Sequence, residues 1–380
     1  MERMMQREAI EFLKRLLEIP SVNSRDDEGC MAEFLTEYLR SFGIEAQVQR
    51  IDGNHANVIA WLPGENPDQT IIWNGHLDTV PYGNTDEWKT DPALAVEKDG
   101  MIFARGASDM KSGLAAMVYA LTHLSGRPAM NIQFLGTCDE EKNGIGAQRL
   151  LDDHKLAAST MMLIGEPTGM KLGTAQKGCL WLKLHVRGKT SHGAYPQEGI
   201  SAIHEGMRIA EGIRSYVQSF SSDLLGVSTA QVTMITGGCA PNMTADECEI
   251  VMDIRMVPGL TAHMVMGQGE KLLREYSRSN IELKAEFEIL NDRRAIEISD
   301  EHPMVSSMRK LLIERGYEGS DVGISFFTDA SVLDRDAEKA ILLFGPGDPS
   351  MAHRPNEYVE TEKYLDAIEV LKRFAAAKLS

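Results

Sequence analysis

Apolar side chains recur at intervals of three and four residues over 6–18 and again over 30–41, which predicts two helices that each bury one face. Four later runs of strand length are apolar at nearly every position, as expected of strands that are covered on both faces. These runs are 56–62, 70–74, 131–136 and 160–164. A helical pattern over 112–125 separates the second run from the third. The alternation predicts an α/β fold in which a mixed, mostly parallel sheet lies between helices.

The pattern changes over 179–291, where strands and helices alternate in the order β-α-β-β-α-β. The predicted strands are 180–187, 228–235, 247–255 and 282–289, and the predicted helices are 200–220 and 261–278. This order is typical of a small α+β domain of the ferredoxin-like type. Residues 1–178 and 292–380 would then form one larger domain, into which the smaller domain is inserted.

Composition narrows the class of protein. A chain of 380 residues exceeds what one hydrophobic core usually serves, which agrees with two domains. The formal net charge of −17 argues against nucleic acid or an anionic membrane surface as a partner, and favours a small solute. The five cysteines include no Cys-x-x-Cys pair, which argues against a disulfide framework or a cysteine zinc site. No stretch resembles a signal peptide or a membrane span, so we expect a cytoplasmic protein.

Acidic and histidine side chains follow several predicted strands at the points where these strands end. In chain order they are His76 and Asp78, Asp109, Glu140 and Glu141, Glu166, and His353. Each alone is equally consistent with a solvated turn. If the strands are parallel neighbours, however, their loops meet at one edge of the sheet, where clustered carboxylates repel unless a cation holds them. Oxygen and imidazole ligands without thiolates indicate zinc, cobalt or manganese.

Five motifs carry these residues in order along the chain. They are His76-Leu-Asp78, Gly106-Ala-Ser-Asp109-Met-Lys, Asp139-Glu140-Glu141, Gly165-Glu166-Pro-Thr168 and Ala352-His353. This set resembles the M20 metallopeptidase and deacylase family, in particular its acetylornithine deacetylase and succinyl-diaminopimelate desuccinylase branch. The resemblance extends over essentially the whole chain. It implies a zinc-peptidase-like catalytic domain with an inserted lid or dimerisation domain.

The resemblance also implies a site for two divalent metal ions, with zinc preferred over cobalt or manganese. The ligands of the first ion would be His76, Asp109 and Glu166, and those of the second would be Asp109, Glu141 and His353. Asp109 would therefore bridge the two ions, which together hold and acidify a water molecule. The same resemblance implies a cis peptide bond between Asp109 and Met110.

Three further residues receive catalytic roles from the resemblance. Glu140, which is left free of metal, would be the general base that passes a proton to the leaving amine. Asp78 would accept a hydrogen bond from the far nitrogen of His76 and so fix its tautomer. In relatives, the histidine that matches His192 comes from the partner subunit and stabilises the oxyanion, which implies a homodimer formed through the inserted domain.

Substrate contacts are less closely defined. Asn242 and Arg255 match positions where relatives bind substrate, although Arg255 is equally consistent with a structural ion pair. Thr328 and Gly345 match positions that line the pocket. Lys177 stands in a Gln-Lys-Gly segment where the familiar desuccinylases have Arg-Arg-Gly, and it would attract a carboxylate as a point charge without the fork geometry of arginine.

These features predict an amidohydrolase that removes the acyl group from an N-acyl amino acid such as N-succinyl-diaminopimelate or N-acetylornithine. The same chemistry on a dipeptide or tripeptide is a close alternative, since the metal ligands do not discriminate between the two substrate classes. A non-catalytic family member is a third possibility. It is disfavoured because all five ligands and the base are present.

Overall fold

The structure is a computed structural model that describes residues 2–278 and 281–379. Nine helices lie in this part of the chain: α1 (Glu2–Glu18), α2 (Gly29–Ser41), α3 (Lys111–Thr122), α4 (Ile145–Asp152), α5 (Ala202–Val217), α6 (Ala262–Tyr276), α7 (Pro303–Glu314), α8 (Ala330–Leu333) and α9 (Thr361–Ala375). None of these helices combines the length and the apolar character that crossing a bilayer would need.

Eighteen strands lie in the same described residues. They are β1 (Glu45–Arg50), β2 (Ala56–Leu62), β3 (Asn66–His76), β4 (Val96–Lys98), β5 (Met101–Phe103), β6 (Met130–Thr137), β7 (Met161–Ile164), β8 (Leu172–Gln176), β9 (Gly178–Arg187), β10 (Ser221–Ser222), β11 (Gly226–Val227), β12 (Thr229–Gly237), β13 (Glu247–Met256), β14 (Lys284–Arg293), β15 (Ile296–Glu297), β16 (Asp321–Ile324), β17 (Ala340–Leu343) and β18 (Tyr358–Glu360).

The chain divides into two compact units. The first unit comprises Met1–Thr174, Ile298–Val322 and Thr328–Ser380, and the second comprises Ala175–Glu297 and Gly323–Phe327. Each unit has its own cluster of buried apolar side chains, as two separate cores require.

The first unit is built on a sheet with the strand order β1-β2-β6-β3-β7-β17-β8. Its four central strands, β6, β3, β7 and β17, run parallel, whereas β1, β2 and β8 pair antiparallel. All eight residues of β6 are buried, because helices cover both faces of a parallel sheet. This arrangement confirms the predicted mixed, mostly parallel sheet.

A second, smaller sheet in the first unit consists of β18, β5 and β4, all antiparallel. The strand that precedes Asp109 therefore belongs to this small sheet and not to the central one. The strands whose ends carry His76, Glu140 and Glu166, which are β3, β6 and β7, are parallel neighbours. The loop after β5 brings Asp109 to the same cluster from outside the central sheet.

The second unit has an antiparallel sheet with the order β12-β13-β9-β14, and its helices are α5 and α6. Apolar residues alternate along β9, so that Leu180, Leu182, Leu184 and Val186 are buried in the core. The chain order of these elements is the predicted β-α-β-β-α-β order, with the short hairpin β10–β11 added.

Candidate metal centre

Three neighbouring parallel strands deliver four of the predicted site residues. His76 is the last residue of β3, Glu140 and Glu141 follow β6, and Glu166 follows β7. Because β6, β3 and β7 are adjacent and parallel, their carboxyl ends lie at one edge of the sheet. The central sheet thus brings together one imidazole and three carboxylates.

Two further residues come from the loops next to the small sheet. Asp109 lies between β5 and α3, and His353 lies between β17 and β18. Tyr358 of β18 pairs with Phe103 of β5, which places the two loops side by side. The peptide bond between Asp109 and Met110 is cis, as predicted.

Asp109 lies between the two histidines and contacts each with a different oxygen. Its Oδ1 atom is 3.1 Å from Nε2 of His76, and its Oδ2 atom is 3.4 Å from Nε2 of His353. On the first side, Oε1 of Glu166 is 4.0 Å from Nε2 of His76. On the second side, Oε2 of Glu141 is 2.9 Å from Nε2 of His353. The side chains therefore form two groups that share one carboxylate.

The charges in this cluster are buried and unbalanced. Burial raises the pKa of Glu141 to about 7 and, helped by neighbouring carboxylates, holds the pKa of Glu140 and of Glu166 well above the usual glutamate range. Burial alone would lower the pKa of His76, but Asp109 and the nearby glutamates raise it well above its usual value. Oε1 of Glu141 is buried without a hydrogen-bond partner. Carboxylate and imidazole donors with an unsatisfied oxygen fit divalent cations, which would offset this excess of negative charge.

Asp78 is fully buried behind the cluster and holds the turn that carries Glu140 and Glu141. Its Oδ1 atom accepts from the backbone N–H of Glu140 at 3.1 Å, and its Oδ2 atom accepts from that of Glu141 at 3.2 Å. The contact with His76 differs from the expectation. Nδ1 of His76 is 3.0 Å from the backbone carbonyl oxygen of Asp78, while the carboxylate Oδ1 atom is 3.7 Å away.

Glu357, which no sequence motif singled out, supports the loop that presents Asp109. Its carboxylate is fully buried and accepts from the N–H groups of Gly106, Ser108 and Asp109 at 3.1, 2.8 and 2.9 Å. It also accepts from the guanidinium group of Arg105 at 2.6 Å. The one available signal was its position in the same loop as His353, four residues further along.

Asn23 and Glu28 are likewise in no motif, and both contact the region behind the cluster. Asn23 donates to Asp78, and Glu28 accepts from the backbone N–H of Asp139 at 2.8 Å. Both stand in a polar stretch after α1, where the sequence pattern is typical of an ordinary surface loop.

Two predicted residues, His192 and Asn242, are neighbours within the second unit. The backbone N–H of Gly193 donates to the carbonyl oxygen of Asn242 at 2.7 Å, and His192 forms an isolated bridge with Met243. His192 is exposed, and its Nδ1 atom accepts from the N–H of Ala194 at 3.1 Å. When this imidazole is neutral, its proton is therefore on Nε2.

Lys177 and Arg255 also lie within the second unit. Nζ of Lys177 donates to the carbonyl oxygen of Val227 at 2.8 Å, and burial together with the charge of Arg255 lowers the pKa of Lys177. Arg255 forms a two-pronged ion pair with Asp253 at 2.8 and 3.1 Å and lies over the ring of Phe327. The structure thus contains the ion pair that the sequence left open for Arg255.

Thr328 and Gly345 belong to the first unit, and Thr328 is fully buried. Gly345 packs against the loop that carries Glu166. A Cβ atom at Gly345 would lie 2.5 Å from the carbonyl oxygen of Glu166, so a side chain there would displace this loop. The N–H of Gly345 donates to Oγ1 of Thr168 at 3.1 Å.

The sequence matches a known protein family over most of its length. The sequence model of Peptidase family M20/M25/M40 matches residues 72–377, which include all five predicted metal ligands. The chain belongs to this family. It is accordingly a hydrolase that acts on amide bonds, and the predicted family and enzyme class are confirmed.

Similar proteins cover nearly the full chain. A probable succinyl-diaminopimelate desuccinylase of Staphylococcus aureus is 27% identical over 97% of this M20 chain and 96% of its own length. The solved aminopeptidase PepT of Bacillus cereus is 20% identical and covers 98% of this chain and 99% of its own, with a TM-score of 0.77. The YXEP protein of Bacillus subtilis, a dinuclear metal-binding peptidase of the M20 family, is 15% identical, and 98% of each chain is covered, with a TM-score of 0.72. The solved structures support the fold.

Proposed function

We propose that the protein is a two-metal amidohydrolase that removes the acyl group from an N-acyl amino acid of the N-succinyl-diaminopimelate or N-acetylornithine type. The observation that carries this proposal is the position of Asp109, whose two oxygens face His76 and His353 separately. A carboxylate shared in this way is suited to bridging two cations. The proposed ligand sets are His76, Asp109 and Glu166 for one ion, and Asp109, Glu141 and His353 for the other.

Zinc is the proposed metal, because the donors are imidazole and carboxylate without thiolate, although cobalt and manganese accept the same donors. Two divalent ions held by these residues supply Lewis acidity for an amide carbonyl and make water acidic near neutral pH. The residues around them keep the reacting groups in place and exclude bulk water, since all the proposed ligands except His353 have side chains no more than 9% exposed.

Glu140 is the proposed general base. Its backbone N–H donates to Asp78, and Glu140 belongs to neither proposed ligand set although it is next to the proposed ligand Glu141, which leaves its carboxylate free to accept a proton. It takes one proton from the attacking water and gives it to the leaving nitrogen. The water oxygen first bonds to the carbonyl carbon. The C–N bond then breaks, so that the product acid carries the new C–O bond and the amino acid leaves as the amine.

The test of this role is Glu140→Gln, which keeps the shape of the side chain but cannot accept the proton. We expect kcat to fall by about 100-fold or more while two metal ions still bind per chain. Glu97→Gln is a matched control, because Glu97 lies at the surface in an ion pair with Arg7. Wild-type turnover in Glu140→Gln would contradict the mechanism.

The substrate class rests on similarity in sequence to the staphylococcal desuccinylase. A second candidate is hydrolysis of dipeptides or tripeptides, which is favoured by the likeness in fold to the aminopeptidase PepT. The deciding experiment measures hydrolysis of N-succinyl-diaminopimelate, N-acetylornithine and a small peptide panel after the metal has been removed and replaced by zinc, cobalt or manganese. Activity on the peptides alone would replace the first candidate by the second.

Substrate recognition is assigned to Lys177, Asn242, Arg255, Thr328 and Gly345. Lys177 and Arg255 are the two cations of this set, which suits a substrate that carries carboxylates. If they bind such a group, Arg255→Lys and Lys177→Met raise KM and leave kcat nearly unchanged. The opposite pattern, a fall in kcat at constant KM, would reject this assignment.

We also propose that residues 179–291 form an inserted domain through which two copies of the chain associate. Strand β12 is at the edge of the sheet in the second unit, and its Met234 and Ile235 side chains are 65% and 48% exposed. An edge strand with exposed apolar residues is suited to pairing with a second copy. Size-exclusion chromatography with light scattering should give a dimer, and a Met234→Lys variant should dissociate it.

His192 is proposed to act on the substrate held by the partner subunit, where its Nε2–H would donate to the developing oxyanion. Mixing the inactive variants His192→Ala and Glu140→Ala tests this proposal. If His192 acts in the partner's site, the mixed dimer combines an intact base from one copy with an intact histidine from the other. Activity then returns on mixing, whereas no recovery would show that His192 acts within its own chain or has no catalytic role.

A further inference from the structure

Asn23 joins two carboxylates that lie directly behind the proposed base. Its side-chain amide donates to Oδ2 of Asp78 at 2.9 Å and to Oδ1 of Asp139 at 2.9 Å. Asn23 is 6% exposed, while Asp78 and Asp139 are 0% and 2% exposed, so that water has little access to these contacts. Two buried carboxylates therefore share a single neutral donor group, and both of its N–H bonds are used.

The backbone around Asn23 keeps this amide in a fixed position. The N–H of Asn23 donates to the carbonyl oxygen of Thr79 at 2.8 Å, and the N–H of Thr79 donates to that of Ser21 at 2.9 Å. The segment thus pairs with the chain one residue after Asp78. Oδ1 of Asn23 accepts from the hydroxyl group of Ser24 at 2.8 Å, which fixes which side of the amide faces the two carboxylates.

The turn after β6 depends on these two carboxylates. Asp78 accepts from the N–H groups of Glu140 and Glu141, and Asp139 has a φ of +58° at the start of the turn. The N–H of Asp139 donates to Glu28 at 2.8 Å. With the amide of Asn23 removed, Asp78 and Asp139 would repel each other in a site that excludes water. The turn would then lose the side chain that links these two carboxylates.

We infer that Asn23 is a positioning residue for the proposed base: its amide holds Asp78 and Asp139 together and thereby fixes the backbone that presents Glu140. This inference rests on the proposed function of Glu140. Asn23 lies before residues 72–377, so it is outside the part of the chain that the family model matches. A loop that contributes no proposed metal ligand would therefore set the geometry of the base.

The decisive comparison is between Asn23→Ser and Asn23→Leu. Serine keeps one hydroxyl donor and loses bulk, whereas leucine keeps the branched outline of asparagine and has no donor. If Asn23 only fills space, Asn23→Leu retains more activity than Asn23→Ser. If it acts as a donor, Asn23→Ser is the better variant.

At saturating metal we expect Asn23→Ala to lower kcat by about 10–100-fold, as for other residues that orient an active-site group, with KM within about threefold of wild type. Asn131→Ala is the matched control. Asn131 is 7% exposed, and its side chain accepts a hydrogen bond from the N–H of Gly64 and donates one to the carbonyl oxygen of Pro67. It lies at the other end of β6 from the turn that carries Glu140. Equal losses of kcat in Asn23→Ala and Asn131→Ala would show a general structural effect and overturn the inference.

A second readout does not depend on activity. Hydrogen exchange measured by mass spectrometry should show faster exchange of the amides of residues 139–141 in Asn23→Ala than in wild type, with and without zinc, and no such change in Asn131→Ala. Unchanged exchange at 139–141 would overturn the inference even if turnover fell. If the wild-type protein hydrolyses none of the substrates tested, the proposed function fails, while the exchange experiment still decides whether Asn23 holds the turn.

Discussion

Glu357 allows a stability prediction that follows from its four contacts. Its carboxylate accepts from three backbone N–H groups and from Arg105, and neither partner of the ion pair has a side chain more than 3% exposed. Glu357→Ala leaves three N–H groups without an acceptor and a buried guanidinium group without its counter-charge, although Arg105 still donates to the carbonyl oxygens of Arg354 and Pro81. Removing one partner of a buried ion pair costs about 3–5 kcal/mol in free energy of unfolding, so we expect at least that loss here.

Urea denaturation of the metal-loaded and the chelator-treated protein measures this loss. Glu360→Ala is a suitable control because Glu360 pairs with Lys363 at the surface, where such a pair contributes about 1 kcal/mol or less. The double variant Arg105→Met with Glu357→Gln should be less destabilised than the sum of its single changes, since it leaves no unpaired buried charge. A loss below about 1 kcal/mol for Glu357→Ala would refute this account of the loop.

Three further predictions concern Lys111, Gly345 and the effect of removing metal. Burial lowers the pKa of Lys111 to about 7, so between pH 7 and about 10 the unfolded chain holds a proton that the folded chain lacks. The free energy of unfolding therefore rises with pH by up to about 1.4 kcal/mol per pH unit. Lys111→Met should lose this pH dependence in denaturation series at pH 7, 8 and 9. Gly345→Ala should weaken metal binding in a zinc titration because its Cβ atom would meet Glu166, whereas Gly126→Ala, which has open space, should not. Chelation should lower the thermal midpoint, since Glu141 and Glu166 then repel without a counter-charge, and zinc should restore it; an unchanged midpoint would argue against a metal centre.

The unbroken apolar runs made the central strands predictable, because a strand that is buried on both faces needs apolar residues at successive positions. The neighbours of each strand were not predictable in the same way. β17 lies between β7 and β8 although it comes about 180 residues after β7 in the chain, and no local pattern encodes such a pairing. The three residues of β5 are too few to show a period, so their place in a separate sheet had no signal.

The side chains proposed as metal ligands could be selected from the sequence because carboxylates and imidazoles are unusual at the ends of apolar strands. The residues that hold them were not. Asn23 is 55 positions from Asp78 and 116 from Asp139, and only the folded chain brings the three together. Nδ1 of His76 contacts the backbone carbonyl group of Asp78 and not its carboxylate. Which of the two oxygens it contacts depends on the orientation of both side chains, and the spacing of two residues in the sequence does not determine it.

The position of β17 affects how the first unit can fold while the chain is being synthesised. The sheet of the first unit leaves β7 and β8 apart until residues 340–343 fill the gap, and His353 follows ten residues later. A growing chain therefore exposes two unpaired strand edges until residues 340–343 have been synthesised, and binding of a chaperone up to that stage would protect these edges from aggregation. The second set of proposed ligands is complete only after this, so a nascent or truncated chain without its last segment should not hydrolyse amides prematurely.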